Sequence, residues 1–333
     1  MLALRSFPGI HNKRKRIDDK MLKITATFLD EISWDIPHQN WTPAKWDRDF
    51  AAMKKAGINT VVMIRSGLAR WTAWPCEFLH KEAGTAMPET DLADLFLTLA
   101  EKYEMQFFLG LYHSRYYTSH NQWDREVELN KGVAKEAMAR YGKRKAFKGW
   151  YLCQEISVAS GNIIDLYSSL GKYCKELSGG LPVMISPFIK GIKEGNDWDP
   201  FQATGQHSIE PAEHEKEWRK ILKALRCAVD IVAFQDGHVD IFELQSYLEI
   251  NRRIIEEYGM ECWTNCESFD RDMPIRFLPI KWEKMLYKLR AAEAAGIKNA
   301  ITFEFSHFMS PNSIYAGAHG LYECYMDYIN QQP

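Results

Sequence analysis

Strand-like apolar runs recur along the chain, each followed by a stretch with helical periodicity. The runs cover residues 24–32, 59–66, 106–114, 149–157, 182–189, 230–238, 261–269 and 300–308. The first helical pattern, "TPAKWDRDFAAMKKAG", carries its own punctuation. Thr42 stands at the N-cap, Pro43 at the first helical position and Gly57 at the stop. Comparable patterns cover about 89–103, 123–141, 161–177, 211–227, 241–258, 280–295 and 316–330. Strict alternation of eight strands with eight helices predicts an α/β chain closed as a (β/α)₈ TIM barrel. An open doubly wound sheet fits less well, because no glycine-rich phosphate loop follows the first strand.

No low-complexity or linker-like segment divides the chain, so residues 22–333 read as one barrel domain behind an extension over 1–21. Two connections are long, 67–87 and 190–210, and both follow strands. In a barrel they overhang the face where active sites are built. Their tryptophans and prolines suit ordered walls.

Composition narrows the partners. With 42 Lys+Arg against 44 Asp+Glu, the net charge of −2 gives no field that would gather nucleic acid. The run Lys13 to Arg16 reads as a solvated tail. No apolar stretch approaches a membrane span and no signal peptide is visible, so a cytoplasmic location is expected. The seven cysteines lack zinc spacing and read as reduced thiols; no metal or cofactor is expected.

Candidate chemistry lies at the strand ends. Period-two alternation puts Trp263, Asn265 and Glu267 on one face of the seventh strand, and Tyr151, Cys153 and Glu155 on one face of the fourth. In the first strand the apolar set Ile24, Ala26 and Phe28 reads as helix-facing, which turns Glu31 inward. In the eighth, Ile301, Phe303 and Phe305 read the same way and turn Glu304 inward. Four glutamates, Glu31, Glu155, Glu267 and Glu304, thus converge on one rim. Arg65, His113 and Asp236 end the second, third and sixth strands. Burying a carboxylate is costly unless it is compensated, and a shared polar pocket supplies compensation. Paired carboxylates on a concave surface are what glycosidic cleavage requires: one protonates the leaving oxygen, the other attacks C1 or activates water.

The glutamates ending strands four and seven resemble the arrangement of clan A glycoside hydrolases. That resemblance implies Glu155 in "CQEIS" as acid/base and Glu267 in "NCESF" as nucleophile. The opening "TFLDEISWDIPHQNW" with "FAAMKKAGINTVVMIRSG" is similar to an uncharacterised bacterial family of glycosidase-like TIM barrels, classed as a domain of unknown function, over roughly residues 22–330. Three features depart from the clan pattern. Gln154 precedes the acid/base where Asn is common, the sixth strand ends Phe234-Gln235-Asp236 without a tyrosine, and Phe303-Glu304-Phe305 replaces a tryptophan on the eighth.

Aromatic rings supply apolar faces for pyranose C–H groups. Trp34, Trp71, Trp74, Trp198 and Trp263 lie on or beside rim segments. Arg65, Tyr112, His113, Asp236 and Asn265 are candidates to bind hydroxyls or orient carboxylates, with Glu31 and Glu304 tuning them. The expected partner is a carbohydrate. A metal-dependent sugar isomerase or epimerase using Glu155, Asp236, His207 and Glu304 is one alternative; a non-catalytic carbohydrate-binding barrel is another.

Overall fold

Eight parallel strands close a barrel in the computed structural model, which describes residues 21–34, 36–158, 162–190, 209–271 and 277–330. They are β1 Ile24–Leu29, β2 Thr60–Met63, β3 Gln106–Gly110, β4 Phe147–Leu152, β5 Val183–Ile185, β6 Ile231–Gln235, β7 Glu261–Asn265 and β8 Asn299–Thr302. Each pairs with its sequence neighbours, and β1 pairs with β8 through Thr27 and Thr302 to shut the ring. The expected TIM barrel is therefore the observed fold. The predicted extension lies, apart from Met21, outside the described residues, as do Trp198 and His207.

The helices are α1 Pro43–Lys55, α2 Leu92–Lys102, α3 Trp123–Tyr141, α4 Ile163–Ser178, α5 Pro211–Leu225, α6 Leu244–Glu257, α7 Trp282–Ala294 and α8 Ala316–Asn330. Each buries an apolar stripe against the strands. Trp46 of α1 meets Phe96 of α2 edge-on at 4.8 Å, and Trp218 of α5 meets Phe234 of β6 at 4.5 Å. Fully burying such a ring contributes roughly 2–3 kcal/mol. The last helix also satisfies the first strand, because the Tyr325 hydroxyl accepts from the Ile24 N–H at 2.8 Å. Among the described residues no helix is long and apolar enough to cross a membrane.

The strands stop three to six residues earlier than their apolar runs. Beyond the ladder lies the rim, where short strands at Gly67–Leu68, Trp71–Thr72 and Tyr112–His113 form a small sheet. Short helices at Glu77–Ala83, Tyr116–Ser119 and Phe305–Phe308 fill the spaces between. The apolar pattern continues past the ladder because these rim pieces are themselves buried.

One close approach sets the rim's position. At Gly110 a Cβ would lie 2.2 Å from the Ile64 carbonyl oxygen and 2.3 Å from that of Met63. The end of β2 crosses directly over β3 there, and Ser66 N–H donates to the Gly110 carbonyl at 2.8 Å. Gly110→Ala is expected to lower stability by about 2–3 kcal/mol through backbone displacement. A thermal melt checks it, and an unchanged midpoint would show that the crossing is not tight.

Candidate active site

A cavity of about 400 Å³ opens at the carboxyl ends of the strands. Every barrel strand or the segment following it contributes to the wall. Asp30 and Trp34 come after β1, Arg65 after β2, and His113 and Arg115 after β3. Glu155 follows β4, and Ser186 and Phe188 follow β5. Gln235 of β6 is joined by His238, Asn265 of β7 by Glu267, Phe269 and Arg271, and Phe303 closes the ring after β8.

Glu155 and Glu267 line the same cavity in opposite settings. The Glu155 side chain is 39% exposed, with Oε1 3.7 Å from the Arg65 guanidinium. Glu267 is 2% exposed. Arg271 donates from Nε to Glu267 Oε2 at 2.9 Å and from its terminal nitrogen to Oε1 at 2.7 Å. Burial alone would raise the Glu267 pKa. The charge and two hydrogen bonds of Arg271, with Lys288 and His238 behind them, outweigh burial and hold it down to about 2. Only a residue without a side chain fits at Gly237, where a Cβ would fall 1.8 Å from Glu267 Oε2.

Arg65 is the second charged anchor. It donates to Ser33 Oγ at 2.7 Å and faces Asp30 at 3.9 Å as well as Glu155. Asp30 Oδ1 accepts from Ile32 N–H and Ser33 N–H, winding the chain into the turn that presents Ser33 and Trp34. His113 is neutral near pH 7, since burial and then the charges of Arg65 and Arg115 push its pKa to about 4. Asn265 donates to Ser186 Oγ at 3.1 Å, while its Oδ1 is buried without a hydrogen-bond partner among the described residues. That oxygen is an open acceptor for a ligand hydroxyl.

A buried carboxylate on α3 organises two parts of this wall. Glu126 accepts from Ser114 N–H at 3.1 Å, from the Ser114 hydroxyl, and from Gln154 Nε2 at 3.2 Å. It thus holds the residues immediately before Arg115 and Glu155.

Several expected site residues lie elsewhere. Phe28, expected to face the helices, points into the cavity and meets Tyr151 at 5.1 Å and Phe303 at 6.1 Å. The parity of β1 is the reverse of that expected, so Asp30 lines the cavity and Glu31 does not. Just after β8, Phe303 likewise lines the cavity while Glu304 turns away. Glu304 instead caps Phe305–Phe308, accepting from Ser306 N–H at 2.8 Å and His307 N–H at 2.7 Å. The reason is common to both strands: the cavity floor is aromatic, so apolar residues do not mark the helix-facing side.

Asp236 lies behind the wall, accepting from Glu267 N–H at 3.1 Å and pairing with Lys288 at 2.6 Å. It positions the Glu267 backbone. Tyr112 is buried and donates to the Ala69 carbonyl at 2.6 Å, which fastens the rim sheet. Trp263, lower in β7, donates to Glu261 at 3.1 Å and is not in the wall. Trp74 is fully buried against Tyr141, whereas Trp71 is exposed on the outer rim strand. Of the expected platforms, Trp34 lines the cavity. Arg271, His238 and Asp30 were not anticipated. Arg271 and His238 sit in segments after the strands, where period-two alternation carries no information. Among the described residues no group of three His, Cys, Asp or Glu side chains is placed to hold a metal ion.

Glu31, Glu304 and His307 form a buried cluster behind the wall. His307 bonds Glu304 through Nδ1 and donates to the Pro37 carbonyl through Nε2 at 2.7 Å, while Glu31 accepts from Gln39 N–H at 3.1 Å. The cluster ties down the chain that carries Trp34 and Ile36. Burial opposes the His307 charge, but Glu304 and Glu31 outweigh it and raise the pKa from 6.5 to about 9. A raised folded-state pKa stabilises fully below pH 6.5, and that contribution is lost as pH rises through 9. His307→Gln is expected to remove on the order of 3 kcal/mol of pH-dependent stability across this window. Melting midpoints of both proteins from about pH 6 to 10 check this; parallel curves would overturn it.

Comparison with known proteins places these features in context. Residues 24–315 match the DUF4434 family, described as a domain of unknown function. A Bacteroides thetaiotaomicron structure described as a "putative alpha-L-fucosidase" is 47% identical, aligned over 99% of this chain and 100% of its own, with a TM-score of 0.88. The endo-1,4-β-D-mannanase of Thermotoga petrophila aligns over 85% of this chain and 88% of its own, with 13% identity and a TM-score of 0.55. The endo-1,4-β-mannanase of Rhizomucor miehei aligns over 86% and 87%, with 11% identity and a TM-score of 0.55. At such identity the two mannanases share the barrel fold alone. Among curated proteins no match is found.

Proposed function

The chain belongs to the DUF4434 family, a domain of unknown function, and from that premise we propose that it is a glycoside hydrolase, built as one catalytic domain over residues 22–333. The observation that carries this reading is the pair Glu155 and Glu267, which share one cavity at the ends of β4 and β7 in contrasting environments. A glycosidase needs two carboxyls that behave differently, one fixed as an anion and one able to exchange a proton with the leaving group and with water. Glu267, kept ionised by Arg271, is the nucleophile, and Glu155, partly open to solvent, is the acid/base.

In the first step a Glu267 oxygen forms a bond to C1 as the C1–O bond to the leaving group breaks. Glu155 gives its proton to the departing oxygen. One Arg271 hydrogen bond must lengthen as the Glu267 oxygen loses charge. In the second step Glu155 takes a proton from water, whose oxygen displaces Glu267 from C1. Neutral His113 and the open Asn265 acceptor bind sugar hydroxyls, Arg65 orients Glu155, and Phe28, Phe269 and Phe303 offer apolar contact to the ring. The description of the 47% identical Bacteroides protein puts α-L-fucosides first among substrates to try.

Hydrolysis of a panel of aryl glycosides, with the product anomer followed by proton NMR, tests the assignment. Retention at C1 and a fall in kcat of about 10³-fold or more in Glu267→Gln are expected. Glu155→Gln should lose most on substrates with poor leaving groups. Arg271→Gln should raise the Glu267 pKa and move the acid limb of kcat/KM upward from its low position. Inversion would replace the nucleophile with a base-activated water. Sugar binding without turnover would favour the non-catalytic barrel.

A further inference from the structure

Three arginines line the cavity, and two of them are committed. Arg65 faces Asp30 and Glu155, and Arg271 grips Glu267. Arg115, at the mouth, has no carboxylate partner among the described residues. Its guanidinium carbon instead lies 4.9 Å from the ring centre of Trp34, which is 69% exposed. An indole attracts a cation over its face, and stacking there leaves the guanidinium edge free to donate in parallel.

The backbone beneath is held in an unusual conformation. Arg115 has φ +59° and ψ −38°, a region that a side-chain-bearing residue enters only at a cost. Ser114 enforces it: its backbone and hydroxyl are bound to Glu126, and its Oγ accepts from Tyr117 N–H at 3.0 Å. The Arg115 carbonyl accepts from Ser119 N–H at 3.2 Å. Several buried hydrogen bonds thus serve to aim one cation, unpaired with a carboxylate among the described residues, over a cavity wall. Beside it His113 is uncharged near neutral pH and adds no competing charge.

We propose that Arg115, seated on Trp34, binds an anionic substituent of the sugar substrate, a carboxylate or a sulfate ester. This rests on the glycosidase reading and deepens it to a substrate class: acidic glycosides. A planar guanidinium donates to either group through two parallel N–H bonds, and such charge-assisted pairs are about twice as strong as neutral ones. The neighbouring indole supplies the apolar face for the same ring.

The test uses the full chain and free sugars, which a hydrolase cannot turn over. Tryptophan fluorescence and ligand-observed NMR compare L-fucose with its sulfate esters, and D-galactose and D-glucose with the corresponding uronic acids. At low salt, the anionic member of at least one pair should bind about tenfold more tightly than its neutral partner. The preference should shrink in high salt, fall to near unity in Arg115→Gln, and survive in part in Arg115→Lys. A carboxylate-only or sulfate-only preference identifies which anion is bound. Equal binding in every pair, or a preference that persists in Arg115→Gln, overturns the proposal. If neutral glycosides are cleaved without any anionic preference, the acidic subsite fails while the hydrolase assignment stands. If no sugar binds and no glycoside is cleaved, both fail.

Discussion

Closing eight parallel strands gathers the side chains at their ends around one small space, where charges are tolerable only when compensated. The rest of the molecule is arranged to meet that condition. Arg271 holds Glu267, Arg65 lies between Asp30 and Glu155, Lys288 joins Asp236, and His307 bonds Glu304. Two of these groupings form the cavity wall and two stand behind it. The outer two serve the inner two, one fixing the backbone of Glu267 and the other the turn that bears Trp34.

The result is a graded environment across a few residues. Glu267 is sealed in and locked by two hydrogen bonds, whereas Glu155 reaches toward solvent. An aromatic floor of Phe28, Tyr151 and Phe303 separates this polar ring from the barrel interior. Its rings are inclined to one another by 49–61°, so the floor is a faceted apolar surface.

That floor explains how far the sequence could be read. Strand and helix order was legible because each element has an apolar face of the right period and clear stops such as Gly57. That Glu155 and Glu267 face the cavity was legible because Tyr151 on β4 and Asn265 on β7 carry polar groups that mark the inward side. On β1 and just after β8 the inner faces carry Phe28 and Phe303, which alternation alone assigns to the outside, so Glu31 and Glu304 were turned the wrong way. Tyr112 and Trp74 illustrate a different limit. Both occupy rim segments, as expected, yet the rim has a packed interior of its own. Arg271 and Arg115 belong to irregular segments, where no strand or helix period sets the side-chain direction and particular contacts, to Glu267 and to Trp34, do so instead.

Glu126 has a consequence for how such a protein could be diversified. One carboxylate on α3 fastens the residue before Arg115 and the residue before Glu155. The loop beginning at Ser114 is therefore not an interchangeable module. Its shape is specified by a helical residue twelve positions downstream, and a transplanted loop without that helix would arrive with no template. Lineages or designers seeking a new rim here must inherit loop and helix together, or else find a second way to neutralise a carboxylate left buried beneath the exchanged loop.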